Sequence, residues 1–260
     1  LSGRGEDVAI IEHPDVRRML FTMKAITEGA RVMAYETSLA ADIAEHHSDE
    51  ATREAANDFL DLGVPLVKAF CTDSAVELGS LAIQVYGGHG YIREHGIEQI
   101  SRDAKILCLY EGTNGIQAMD LVRRKLKMKN GALPEQLFTH IDGALGAAGA
   151  DLDFIAKPLG DALTTLKTAT GWLQQRLQDA PENAGAGAVP YLRAFALTWL
   201  GYNWLRMAAA AQRLNEDDFC RSKLATAHFF ASQLLPEVHS LCAGIEQQPE
   251  DFMQIPATLI

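Results

Sequence analysis

Apolar residues along this chain recur at spacings of three and four, seldom at two. From His13-Pro14, with Pro at a helix's first position, Val16, Met19, Leu20, Met23, Ile26, Ala30, Met33, Ala34 and Thr37 form one such series and predict a long amphipathic helix ending near His46-His47. Ser48-Asp49-Glu50 offers a cap and an acidic first turn for a second helix. Gly63 and Pro65 are expected to end that helix before a third runs to about Tyr86. Gly87-Gly88-His89-Gly90-Tyr91 breaks the spacing, and a loop is expected as far as His95-Gly96. Ile97 to Leu109 resumes it through Ile100, Ala104, Ile106 and Leu107. Gly112-Thr113-Asn114-Gly115 interrupts again before Ile116 to Met128.

Composition shifts around Lys129-Asn130-Gly131, and further helices are expected from about Pro134, Lys157, Val189 and Asp217, with residues 180–187 as a flexible connection. Tyr191 to Met207 is apolar on nearly every side, so other helices must surround it. Strand signals are scarce, while Ala, Leu, Glu, Gln, Arg and Met dominate. The expected fold is all-α: two consecutive helical bundles, residues 1–129 and 130–260.

Charge narrows the partners. The 260 residues carry 23 Lys+Arg against 34 Asp+Glu, a net charge of -11, which argues against nucleic acid or an anionic membrane. Hydrophobic residues at 48% and charged residues at 22% suit a soluble globular protein. No apolar stretch approaches bilayer length. Residues 1–7 lack the basic head and apolar middle of a signal peptide. The missing initiator Met suggests a piece of a longer protein. Cys71, Cys108, Cys220 and Cys242 lie far apart without a C-x-x-C pair, as reduced thiols of a cytoplasmic protein would.

Three features bear on chemistry. The histidines suggest no metal: His46-His47 sit where a helix ends and His228 falls on the apolar stripe Leu224, Ala227, Ala231, Leu235. Gly87-Gly88-His89-Gly90 fits no dinucleotide or P-loop pattern; it is either a helix C-cap or, with Gln84 one turn earlier, bare backbone that a ligand could approach. In Tyr110-Glu111-Gly112-Thr113 a carboxylate stands at a helix end against the apolar run Ile106 to Tyr110. Desolvation there would raise its pKa and make it a base near neutral pH; a surface Glu at a turn is the alternative.

The segments Gln84-Val85-Tyr86-Gly87-Gly88-His89-Gly90-Tyr91, Arg102-Asp103-Ala104-Lys105-Ile106 and Tyr110-Glu111-Gly112-Thr113-Asn114-Gly115-Ile116-Gln117, in that order and spacing, resemble the C-terminal helical domain of acyl-CoA dehydrogenases. The resemblance covers about residues 1–128. Residues 130–260 resemble the additional helical domain of a bacterial branch of large family members, which includes the enzyme for 3-methylmercaptopropionyl-CoA.

What the resemblance implies is a C-terminal part of a FAD-dependent dehydrogenase that forms a trans-2-enoyl-CoA. Glu111 matches the base that takes the α-proton, its backbone N–H a donor to the thioester carbonyl. Gln84, Gly87 and Gly88 match the segment holding the ADP half of a neighbouring subunit's FAD. Thr113 and Asn114 match a flavin-contacting turn, and Tyr110 and Gly112 the acyl pocket. An electron-transferring flavoprotein and further copies of the chain are the implied partners. The arginine-and-phenylalanine cofactor segment that family members place upstream has no counterpart from Leu1 onward, so this chain alone is expected to bind FAD incompletely and to be inactive. Gly96-Ile97-Glu98 stands where Pro-Val-Glu is usual. The rival expectation is a non-catalytic helical module for oligomerisation and docking.

Overall fold

Caps decide where the helices of this computed structural model begin; it describes residues 8–214, 217–247 and 253–260, and the 1–7 run discussed above lies outside them. Pro14 opens α1 (Pro14–His46). Asp49 opens α2 (Glu50–Tyr86), its carboxylate accepting from the Thr52 hydroxyl at 2.7 Å and the Thr52 N–H at 2.9 Å. These hydrogen bonds hold the Asp49 carboxyl below its ordinary range. Gly87 separates α2 from the short α3 (Gly88–Tyr91), and a 3-10 turn over Arg93–His95 leads into α4 (Ile97–Leu107). Thr113 caps α5 (Asn114–Arg123). The described residues contain no strand.

The expected break at Gly63 and Pro65 is absent: both are buried inside α2, which runs through them. A Cβ on Gly63 would lie 2.8 Å from Thr37 Oγ1 and 3.4 Å from the Trp199 ring. The glycine is therefore a point of close helix approach, and packing overrides local propensity.

The second half comprises α6 (Glu135–Ala147), α7 (Asp153–Asp179), α8 (Pro181–Ala186), α9 (Ala188–Arg213), α10 (Asp218–Phe229) and α11 (Glu237–Glu246). The connection expected to be flexible is instead α8. Ala184 is fully buried and Gly185 abuts Met119, so the segment has tertiary contacts its composition does not announce. A π-helical turn over Phe230–Leu234 divides α10 from α11, a division that the sequence reading did not make. His228 is exposed, not in the core, and stacks on Phe154 at 3.5 Å.

Helix α9 lies at the centre, as its all-round apolarity predicts. It packs against α1, α2 and α5 of the first half and α7, α10 and α11 of the second, so one hydrophobic core runs through both halves. Trp204 donates its indole N–H to Ala25 O at 3.1 Å, and Trp199 donates to Glu36 at 3.0 Å. Arg193 bridges Glu77 of α2 at 2.8 Å and Glu237 of α11 at 2.6 Å. Glu28 of α1 receives Lys24 at 2.6 Å and Lys223 of α10 at 2.9 Å; burial disfavours its charge, and the two ammonium groups more than offset that, lowering its pKa.

Two glycine substitutions should move stability in opposite directions. Gly63→Ala forces a methyl against Thr37, whose hydroxyl is already bonded to Met33 O, and should destabilise by about 1–3 kcal/mol. Gly171→Ala, on an exposed face of α7 with no atom within 4 Å of the new Cβ, should stabilise by about 0.5–1 kcal/mol. Urea denaturation of both variants checks the pair; equal effects would mean that Gly63 is no contact point.

Candidate functional site

The residues singled out by sequence fall into two groups joined by an antiparallel helix pair. Gly79 of α2 faces Ser101 of α4, where an added Cβ would sit 3.2 Å from the Ser101 Cα, so the two helices run close together. Lys68 of α2 reaches the turn that follows α4, bonding Gly112 O at 2.7 Å. Lys68 and Gln84 are separated along α2 by about 24 Å, at roughly 1.5 Å rise per residue. Gln84, Gly87 and Gly88 thus lie at one end of the pair, and Tyr110, Glu111, Gly112, Thr113 and Asn114 at the other.

At the first end Gly87 has φ 60 and ψ -142, a conformation open essentially to glycine alone, and its N–H caps α2 by donating to Gln84 O at 3.1 Å. The helix-cap alternative is thus realised. Yet no heavy atom lies within 4 Å of a Cβ built on Gly87 or Gly88, and the Gln84 side chain is exposed. Gly90 has a different task that sequence reading missed: its Cβ would meet Ile83 O at 2.6 Å, so α3 folds back onto α2 only with glycine there.

At the other end Glu111 is a non-glycine residue at φ 52, followed by Gly112 at φ 85. Asn114 N–H closes the turn by donating to Cys108 O at 3.1 Å, and Gln117 donates to Glu111 O at 3.3 Å. Among the described residues the N–H groups of Glu111, Gly112 and Thr113 donate to no backbone or side-chain acceptor.

The desolvated setting expected for Glu111 is not found within this chain. Glu111 is exposed, and Ile106 (56%), Leu109 (52%), Tyr110 (48%) and Ile116 (60%), close to it in sequence, are exposed apolar side chains as well. The adjoining cavity of about 470 Å3, walled by Phe70, Asp73, Asn114 and Arg193 among others, does not include Tyr110 or Glu111.

Thr113 uses its hydroxyl to cap α5, accepting from Ile116 N–H at 3.4 Å. Asn114 is committed inward. Its amide N–H2 donates to Asp73 at 2.7 Å, Thr72 at 2.9 Å and Ala69 O at 3.2 Å, and its oxygen accepts from Lys68 at 2.8 Å. Lys68, Thr72 and Asp73 escaped the sequence reading; the spacing of four between Lys68 and Thr72, which puts them on one helix face, was the available signal. Burial pushes the Cys71 and Cys242 thiols up to about 11, so neither is a nucleophile at neutral pH. Among the described residues no three His, Cys, Asp or Glu side chains gather as a metal would need, and no helix is long and apolar enough to cross a membrane.

Comparison with known proteins gives two family matches: "Acyl-CoA dehydrogenase, C-terminal domain" over residues 3–126 and "Acetyl-CoA dehydrogenase C-terminal like" over residues 136–256. The 3-methylmercaptopropionyl-CoA dehydrogenase of Ruegeria pomeroyi is 41% identical over 91% of this chain and 42% of its own length. A butyryl-CoA dehydrogenase of Syntrophomonas wolfei is 34% identical over 97% of this chain and 43% of its own length. This chain therefore spans about two fifths of these relatives. A Bacillus anthracis acyl-CoA dehydrogenase complexed with FAD superposes with TM-score 0.70 at 17% identity, over 99% of this chain and 46% of that one. Caenorhabditis elegans ACDH-11 in complex with C11-CoA does so with TM-score 0.69 at 18% identity, over 96% and 42%. At those identities the two structures attest the fold.

The left-handed backbone of Glu111 makes a direct prediction. Glu111→Gly removes a Cβ clash worth about 1–2 kcal/mol, so the variant should melt higher by roughly 2–8 °C. A lower melting temperature would show that the turn carries no strain.

Proposed function

The chain belongs to the acyl-CoA dehydrogenase family, and from that premise we propose that it supplies the general base and part of the cofactor cradle for α,β-dehydrogenation of an acyl-CoA thioester. The observation that carries the reading is Glu111 itself. A non-glycine residue is held at φ 52 on an open apolar face, beside free N–H groups, where glycine would be less strained. Strain kept at such a position points to a side chain needed for its chemistry.

The residues fit FAD in two places. Gly87 and Gly88 present bare backbone and Gln84 an exposed amide, able to donate and accept, at one end of the α2–α4 pair. Thr113 offers an exposed position at the other, while the Asn114 amide is used within the chain. Gln84, Gly87 and Gly88 would hold the ADP half, and the separation along α2 supports its belonging to a neighbouring subunit's FAD. When bound, FAD accepts at N5 the hydride that leaves the substrate β-carbon.

Everything else falls to the chain. The Glu111 carboxylate takes the α-proton, and the C–H electron pair moves into the new α,β double bond as the β-hydride departs, giving a trans-2-enoyl-CoA. The Glu111 N–H donates to the thioester carbonyl oxygen, stabilising the negative charge that develops there and so acidifying the α-proton. The apolar residues Ile106, Leu109, Tyr110 and Ile116, covered by substrate and by whatever else packs on this face, supply the low-dielectric surround absent in the uncovered chain. Electrons then pass to an electron-transferring flavoprotein, and the cradle at Gln84 requires a second copy of the protein. Cys71, Cys108, Cys220 and Cys242 are unpaired, which supports a reducing, cytoplasmic setting for the enzyme.

Two substitutions test this in the complete flavoprotein. Glu111→Gln should leave acyl-CoA binding intact while flavin bleaching by substrate slows by about 10²- to 10⁴-fold. Bleaching at the parent rate places the base elsewhere. Gly88→Val meets no atom of this chain within 4 Å of the new Cβ, so flavin content should fall while helical content is retained; full occupancy would leave the loop as a helix cap and nothing more.

A further inference from the structure

The turn at Glu111 is strained and exposed, and its own hydrogen bonds, Asn114 N–H to Cys108 O and Gln117 to Glu111 O, close it without tying it to the core. The tie comes from α2. Lys68 is partly buried and bonds no carboxylate among the described residues; its ammonium donates to two neutral oxygens, Gly112 O at 2.7 Å and Asn114 Oδ1 at 2.8 Å. The other end of the Asn114 amide donates to Asp73 at 2.7 Å. Asn114 therefore bridges an ammonium and a carboxylate, an arrangement that fixes the orientation of its amide and polarises both bonds. Charge-assisted bonds of this kind are about twice as strong as neutral ones.

We propose that Lys68 is a positioning residue for Glu111: by gripping the carbonyl of the adjacent Gly112 it holds the turn in its left-handed conformation and so aims the Glu111 carboxylate and N–H at the open face. The proposal rests on the reading of Glu111 as the base. The peptide unit that Lys68 holds joins Gly112 to Thr113, so Gly112 ψ and Thr113 φ are restrained directly; the next unit back, between Glu111 and Gly112, is held at its own carbonyl by Gln117 at 3.3 Å, and with both units pinned Glu111 keeps its direction. A neutral apolar side chain at position 68 would release the carbonyl to water and let the turn relax towards less strained conformations, displacing the carboxylate.

The test compares Lys68→Met, Lys68→Arg and Lys68→Gln in the complete flavoprotein, by kinetics and by hydrogen exchange of the segment 109–116. Lys68→Met should lower kcat about 10²-fold through misplacement of the base, with KM for acyl-CoA little changed. Exchange of segment 109–116 should quicken by about tenfold while α1 and α9 keep their protection. Lys68→Arg, which keeps charge and donors, should restore most of both. If Lys68→Met does not fold, Lys68→Gln, with its neutral donor, should give intermediate values of both readouts. Unchanged exchange in segment 109–116, or faster exchange spread evenly over the molecule, overturns the proposal. If Glu111→Gln stays active, the base assignment fails by itself, and the exchange arm still decides whether Lys68 holds the turn.

Discussion

The continuity of α2 is the constraint on which the remaining geometry depends. This helix carries Lys68 and Gln84 on one rigid axis, so the spacing between the glycine segment and the Glu111 turn is set by helical rise alone. It stays whole through Gly63 and Pro65 because its neighbours close around it: Thr37 and Trp199 occupy the space that a side chain at position 63 would need. Packing energy gathered along 37 residues outweighs one glycine and one missing N–H.

Strain and support are separated in the candidate site. Glu111 and Gly112 adopt positive φ on the surface, while the groups that hold them, Lys68, Asn114, Thr72 and Asp73, are partly buried against α2. Such a division suits a residue that must be both exposed to substrate and fixed in direction. It also suits the proposed role of Glu111: the chain leaves that side chain exposed, and a dry environment must be completed by what covers the face.

The second half does more than adjoin the first. Helix α9 sets Trp199 between α1 and α2 and Trp204 against α1, and gives Arg193 to an ion pair with Glu77 of α2, two turns or so beyond Lys68. A single core means that the support of the Glu111 turn extends, through α2, to helices drawn from residues after 130. This accounts for a large second helical region bound by extensive apolar contact to the half that carries Glu111.

Periodicity by itself determined the all-α class, the span of α1, the central place of the helix that includes Trp199 and Trp204, and the breaks at Gly87 and Gly112, because these rest on local spacing and on what glycine alone permits. The ordered motifs around Gln84, Arg102 and Glu111 also sufficed to suggest the family. Only tertiary structure decided that α2 crosses Pro65 unbroken, that residues 181–186 are helical, and that the Asn114 amide turns inward, since each depends on partners distant in the chain. The exposure of Glu111 belongs to the same class: a run of apolar residues in sequence states that a surface is sticky, and only the packing of other elements decides whether it is dry.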